Sequence, residues 1–262
     1  MADRTRKPRA AKKRIEGSYP IDTGTACIVA DPQRDGAYVL EVNRVPSSYV
    51  VPGAPEVLEY DYMQWIAEFI DSFKLPEPFT AVHLGAAGCA LPSYVQHRWG
   101  SRNIAVELDR GLARLVREAF DPPVEIVVAE ARAFTHALAP GSVDVIVRDV
   151  FSGPDTPRPL TTVEFFHAAR RALSPGGLFV ANVGDSEGLP RTRAELAGLQ
   201  QVFAHTAVRR VGRGYGNVVV AASNAALPGE QLPIDGASPL HDSLKAPARR
   251  RGSAGKTPHA AQ

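Results

Sequence analysis

Between residues 79 and 226, short continuous apolar runs alternate with segments whose apolar residues recur every three or four positions. The runs at 81–84, 103–106, 124–128, 143–147 and 178–183 predict strands covered on both faces. The segments 90–99, 110–120, 131–138, 161–173 and 191–203 predict helices. This alternation argues for a parallel sheet built by right-handed crossovers. The ending breaks the rhythm. Runs at 206–211 and 217–221 are separated only by Gly212-Arg213-Gly214-Tyr215-Gly216, too short for a helix, so they predict an antiparallel hairpin. The expected fold is α/β: a seven-stranded, mostly parallel sheet with a terminal antiparallel hairpin.

The segment 17–56 is strand-like and polar between its apolar runs. Short β-prone stretches at 26–29, 37–42 and 48–51, with the turn cluster Asp31-Pro32-Gln33-Arg34-Asp35-Gly36, predict a small antiparallel β unit. Next, Tyr62, Ile66, Phe69 and Phe73 recur at helical spacing, with Trp65 and Ile70 widening the apolar face. Pro76 and Pro78 close that helix, so 57–78 reads as a helix and linker before the main domain at 79–226.

Charge adds two ends to this picture. Residues 1–14 hold seven Lys/Arg against one Asp, and residues 237–262 hold five against one, while all 262 residues carry only +2. The body between them therefore carries −8. The segments 1–16 and 227–262 are expected to be disordered basic tails, because they hold too little apolar surface to fold alone. Two readings stay open for them: solubilising ends, or weak contact with nucleic acid or an anionic surface. They contain no aromatic residue for base stacking. No apolar run of about 18 residues exists to cross a membrane, and the basic N-terminus has no apolar secretory segment. Cys27 and Cys89 are too few for a disulfide framework and suit a reducing, cytoplasmic location.

The candidate chemistry gathers at the carboxyl ends of the predicted strands, where open α/β folds bind ligands. The first strand runs into Gly85-Ala86-Ala87-Gly88-Cys89-Ala90, whose small side chains let backbone approach a ligand. No Gly-Lys-Ser/Thr follows, so this is not a phosphate-binding lysine loop. Glu107 ends the second strand, 22 residues after Gly85, where a carboxylate can accept from both hydroxyls of a ribose. Asp109 reads as the cap of the next helix. Glu130 follows the third strand and can either reach an adenine amino group or serve its own helix start. Asp149 ends the fourth and would face the reacting end of a nucleoside ligand, where it can orient or deprotonate an amine. The pleat should point neighbouring Arg148 the other way. Tyr62 lies either in the site or in the core stripe. Cys89 is either a thiol acidified at a helix start or a small buried residue, and His83 and His167 read as packed. No His/Cys/Asp/Glu cluster has metal-ligand spacing, so no metal is expected.

Together, 37–40, 58–63, the 85–90 loop, 106–109, 130–134, 149–151 and 160–166 resemble the spermidine synthase (polyamine aminopropyltransferase) family, over about residues 35–223. The stretch 161–166, followed by 169–177, is the most distinctive part. The resemblance implies the class I S-adenosylmethionine-dependent methyltransferase fold and a donor that is S-adenosylmethionine or its decarboxylated form. It implies donor binding by Gly85, Ala86, Ala87, Gly88, Glu107, Glu130 and Asp149, catalysis by Asp149, and an acceptor near Tyr62 and Ser152. A small-molecule acceptor follows from the same likeness; the family often forms a homodimer, but no surface stripe in this sequence demands one and the oligomeric state stays open.

The departures from the family pattern point elsewhere. Gly88 stands where the family loop GGGDGG has its aspartate, and Ser152 where the segment DSSDP has its second. The family's GDA becomes Ala129-Glu130-Ala131. The two lost carboxylates are those that hold cationic amines, each bond being worth roughly 1.5–3 kcal/mol. On this ground methyl transfer ranks above aminopropyl transfer. A true polyamine aminopropyltransferase and a non-catalytic nucleoside-binding or interaction protein are the alternatives. The terminal hairpin and the 160–177 segment count against a dinucleotide-dependent dehydrogenase.

Overall fold

The computed structural model describes residues 15–153, 155–210 and 214–243. The basic stretches 1–14 and 244–262 lie outside the described residues. Strands β1 (Gly17–Ile21), β2 (Gly24–Ala30), β3 (Tyr38–Val42) and β4 (Val45–Val50) pair antiparallel in that order as one sheet. Helix α1 (Asp61–Asp71) leads into the main domain. There follow β5 (Thr80–Leu84), α2 (Ala90–Trp99), β6 (Arg102–Glu107), α3 (Arg110–Phe120), β7 (Glu125–Val128), α4 (Ala131–Ala137) and β8 (Val143–Arg148). A 3₁₀ turn at Arg158–Leu160 precedes α5 (Val163–Ala172), β9 (Leu173–Asp185), α6 (Pro190–Leu199), β10 (His205–Arg210) and β11 (Gly216–Ser223). The main sheet has the order β10-β11-β9-β8-β5-β6-β7; β5 to β9 run parallel, and β11 and β10 close it antiparallel. The α/β architecture and its small antiparallel preface are as the sequence pattern predicts.

Local chemistry explains the elements that frame the site. Helix α3 buries Leu112, Ala113, Leu115, Val116 and Phe120 on one face, starts at the Asp109 cap and stops before Pro122-Pro123. In β9 the residues Leu178, Phe179, Val180, Ala181 and Val183 are all buried, because β8 and β11 flank it and helices cover both faces. Phe179, Ala181 and Val183 pack with Phe165 and Phe166 of α5, while Leu178 and Val180 pack with Ile66 and Phe69 of α1. Along β8, Ile146 joins the α5 side and Val145 and Val147 the α1 side. The pleat therefore sends Arg148 to the α5–α6 face, and Asp149 and Asn182 to the α1 face.

The Asp109 carboxylate gathers several of the bonds that fasten the β unit to the main domain. Asp109 caps α3 through Leu112 N–H (2.8 Å) and accepts from Asp22 N–H (3.1 Å), Thr23 N–H (2.7 Å) and the Thr23 hydroxyl (2.7 Å).

Two boundaries differ from expectation. Strand β1 has no alternating apolar pattern and carries Pro20, which an edge strand tolerates. Residues 227–243, expected to belong to a free tail, lie along the domain. Val208 N–H donates to Glu230 O (2.9 Å), Val163 N–H to Leu240 O (2.9 Å) and the Thr162 hydroxyl to Asp242 (2.8 Å), while Arg132 pairs with Asp242. Leu232 and Ile234 pack against the core, so a few apolar contacts plus backbone bonding order a stretch whose composition reads as tail. Among the described residues no helix is long and apolar enough to cross a membrane.

Candidate active site

The site forms where β5, β6 and β8 end side by side. Gly85 has φ +78°, and a Cβ there would lie 2.3 Å from the carbonyl oxygen of Asp149. Only glycine lets the loop run against that backbone. Gly85 N–H donates to Val106 O (2.9 Å) and Asp149 N–H to Leu84 O (2.8 Å), so the three strand ends are stitched together. Further on, Gly88 N–H donates to the buried Ser48 hydroxyl (2.9 Å) of β4. A Cβ at 88 would lie 2.8 Å from both Ser48 Cβ and Val50 Cγ2. The β unit thus fills the space that any side chain at 88 would need. Cys89 is buried, and burial together with the Glu107 charge pushes its thiol up to about 12, which makes it a packing residue.

Glu107 turns its carboxylate back toward the loop. It accepts from Asp109 N–H (3.0 Å) and interacts with the backbone N–H groups of Ala86 and Ala87. Burial raises its carboxyl above the usual range while those N–H groups oppose the rise. Glu130 instead caps α4, accepting from Arg132 N–H (2.8 Å) and Ala133 N–H (2.7 Å); of its two readings, the structure displays the cap. Sequence reasoning missed the exposed apolar residues beside these acids. Leu108, 62% exposed, follows β6, Val128 ends β7 and Phe151 follows β8. Together they put uncovered apolar surface at the carboxyl edge, suited to a flat aromatic base. Their signal was position, directly at or after strand ends.

Asp149 is held from two sides. The Tyr62 hydroxyl donates to Oδ2 (3.0 Å) and Asn182 Nδ2 donates to Oδ1 (2.9 Å). Burial pushes the Asp149 carboxyl above its ordinary value, while these bonds and the charge of Arg148 pull the other way. Burial and the Asp149 charge push the Tyr62 phenol well above its usual range, so it stays a donor. Tyr62 therefore sits against the Asp149 carboxylate while α1 packs in the core. Asn182, inside an apolar strand, carried no signal in the sequence. Ser152 is exposed; its N–H bonds to Asp155 O (2.8 Å), and no hydrogen bond among the described residues joins it to the Tyr62–Asp149–Asn182 cluster. Asp155 pairs with Arg191 (2.6 Å).

His83 is a packed residue, bonded at 2.8 Å to Asn103 and pushed by burial down to about 4. A cleft of about 660 Å³ opens beyond β9 and β11, lined by Glu187, Arg193, Arg210 and Leu232, but Tyr62, Glu107 and Asp149 lie outside it. Among the described residues no group of three or more His, Cys, Asp or Glu side chains is placed to hold a metal ion.

This strand order, with a glycine loop after the first parallel strand and an acid ending the second, defines the class I S-adenosylmethionine-dependent transferase fold. A human methyltransferase-like protein 13 in complex with SAH shares that fold, at 23% identity and a TM-score of 0.56, over 66% of this chain and 86% of its own. A probable spermidine synthase from Corynebacterium glutamicum is 35% identical, with a TM-score of 0.82, over 94% of this chain and all of its own. The chain belongs to the spermidine synthase (polyamine aminopropyltransferase) family. A polyamine aminopropyltransferase of Chromobacterium violaceum is 28% identical over 152 residues, 56% of this chain and 57% of the relative, so the match spans less than two thirds of that protein. No family model matches the chain.

Proposed function

We propose that the protein transfers an aminopropyl group from decarboxylated S-adenosylmethionine to an amine acceptor. The observation that carries this reading is the Asp149 carboxylate, held by Tyr62 and Asn182 and backed directly by Gly85. When bound, the donor supplies an electrophilic carbon beside a sulfonium. The residues present fit such a group. The 85–87 backbone is partly exposed and carries only small side chains, Glu107 can exchange its loop contacts for ribose hydroxyls, and Leu108 and Phe151 offer apolar cover for adenine. Glu130 keeps its helix cap. Asp149 orients the acceptor nitrogen and receives the proton it releases, and Tyr62 and Asn182 keep both carboxylate oxygens in place.

Likeness over 94% of the chain to a probable spermidine synthase supports aminopropyl over methyl transfer. That reverses the ranking drawn from the lost aspartates. A second reading, methyl transfer from S-adenosylmethionine, rests on Gly88: with β4 packed against it, position 88 has no room for a carboxylate, whose charge would repel the carboxylate that S-adenosylmethionine has and the decarboxylated donor lacks.

Calorimetric titration with each donor, followed by product analysis with a short diamine, separates the readings. Preference for the decarboxylated donor and release of methylthioadenosine is the expected outcome. Preference for S-adenosylmethionine would move the protein to methyl transfer, and binding of neither would leave a non-catalytic role.

A further inference from the structure

Directly behind Asp149, on the opposite face of the sheet, lies a charged side chain that the site as described does not use. Arg148 is fully buried and forms an ion pair of 2.8 Å with Glu195 of α6, itself 2% exposed. Its guanidinium also donates to Leu160 O (3.0 Å) and to Asn182 O (3.2 Å). The first of these carbonyls ends the 149–160 loop. The second belongs to the residue whose side chain holds Asp149 Oδ1 at 2.9 Å. One side chain thus ties β8, β9 and the far end of the loop to the point where Asp149 leaves the strand.

Stability does not account for this arrangement. Taking two charges out of water costs several kcal/mol per ion, and well-packed apolar residues of similar volume are often as stable or more so. What an apolar pair cannot do is bond two carbonyls at a strand end. We propose that Arg148, clamped by Glu195, is a positioning residue for Asp149: it fixes the Asn182 backbone and both ends of the 149–160 loop from the far face of the sheet. The Arg148 charge also favours the ionised form of Asp149. The other charged or titratable groups facing this cluster are Asp185 at the end of β9, which acts on Glu195, and Tyr62 of α1, which acts on Asp149. The inference rests on the function proposed above, but its first readout does not need turnover.

The test is the double substitution Arg148→Met with Glu195→Leu, which leaves no unpaired buried charge. Carbon-13 NMR of the Asp149 carboxyl should show its titration midpoint moved to higher pH, with the thermal unfolding midpoint unchanged or raised. In turnover with the decarboxylated donor and a diamine, kcat should fall about 10- to 100-fold, the equivalent of one charge-assisted hydrogen bond, with KM for the donor little changed. Arg148→Lys, which keeps the charge but not the two carbonyl bonds, should leave the midpoint raised and kcat low; a midpoint returned to the wild-type value would make the effect one of charge alone and overturn the positioning role. An Asp149 midpoint unchanged in the double variant would overturn the proposal, as would a double variant that fails to fold, since the pair would then serve the fold alone. A wild-type chain without turnover would remove the transferase reading and leave the NMR titration to decide this one.

Discussion

The Tyr62 hydroxyl reaches Asp149 Oδ2 at 3.0 Å although 87 residues separate them in the chain. Helix α1 packs on the α1 face of β9 and so delivers a phenol to the end of β8. The bond favours the charged form of Asp149 against a burial that disfavours it. Tyr62→Phe keeps the ring and removes the donor. The Asp149 carboxyl should then rise further, and because the ionised form is the proton acceptor, the ascending limb of the pH–rate profile should move to higher pH. At neutral pH kcat should fall about 10-fold. A profile that does not move would take Tyr62 out of the site.

Glu107→Ala should weaken the donor by about 100-fold or more, measured by calorimetry. Two losses combine: the ribose acceptor, and the anchor for the Ala86, Ala87 and Asp109 N–H groups that shapes the loop. Unchanged affinity would sink the assignment.

Gly88→Asp, which writes the family's aspartate back, should not strengthen amine binding. Its Cβ would sit 2.8 Å from Ser48 Cβ and Val50 Cγ2, so β4 or the loop must shift, at about 1–3 kcal/mol. Denaturant unfolding should show the loss.

Buried His83 gives the fold a pH dependence. Its folded value, about 4, is depressed from 6.5, so its contribution is present above the unfolded value and is lost as pH falls from 6.5 through about 4. The loss is about 3 kcal/mol at the low end. Unfolding free energies at pH 7.5 and pH 4.5 should differ accordingly, and His83→Gln should flatten that part of the difference.

The sequence carried the fold well where pattern is repetitive. Helices 90–99 and 110–120 and the terminal hairpin follow from spacing alone, and the acids at the ends of β6 and β8 fall where the strand limits place them. What escaped was tertiary pairing. Asn182 reads as one polar residue in an apolar strand; its role appears only when β8 and β9 lie side by side. Arg148 was expected to point away from Asp149, and it does, but no local pattern links it to Glu195. Glu130 and Ser152 show the reverse: residues marked by family position whose side chain or backbone here is bonded nearby instead, Glu130 to its own helix and Ser152 to Asp155.

The segment 227–243 sets where the molecule can be cut. It runs from β10 across to α4 and α5, and its anchors, Arg132 and Thr162, belong to the helix start after β7 and the cap of α5. A chain ended at 226 would contain every strand of both sheets yet leave Leu232 and Ile234 missing from the core and Arg132 without its carboxylate. A fragment meant to keep these contacts must therefore extend through Asp242, and a protease that nicks the strap would free Arg132 of α4 from its carboxylate and Val208 of β10 from its Glu230 bond.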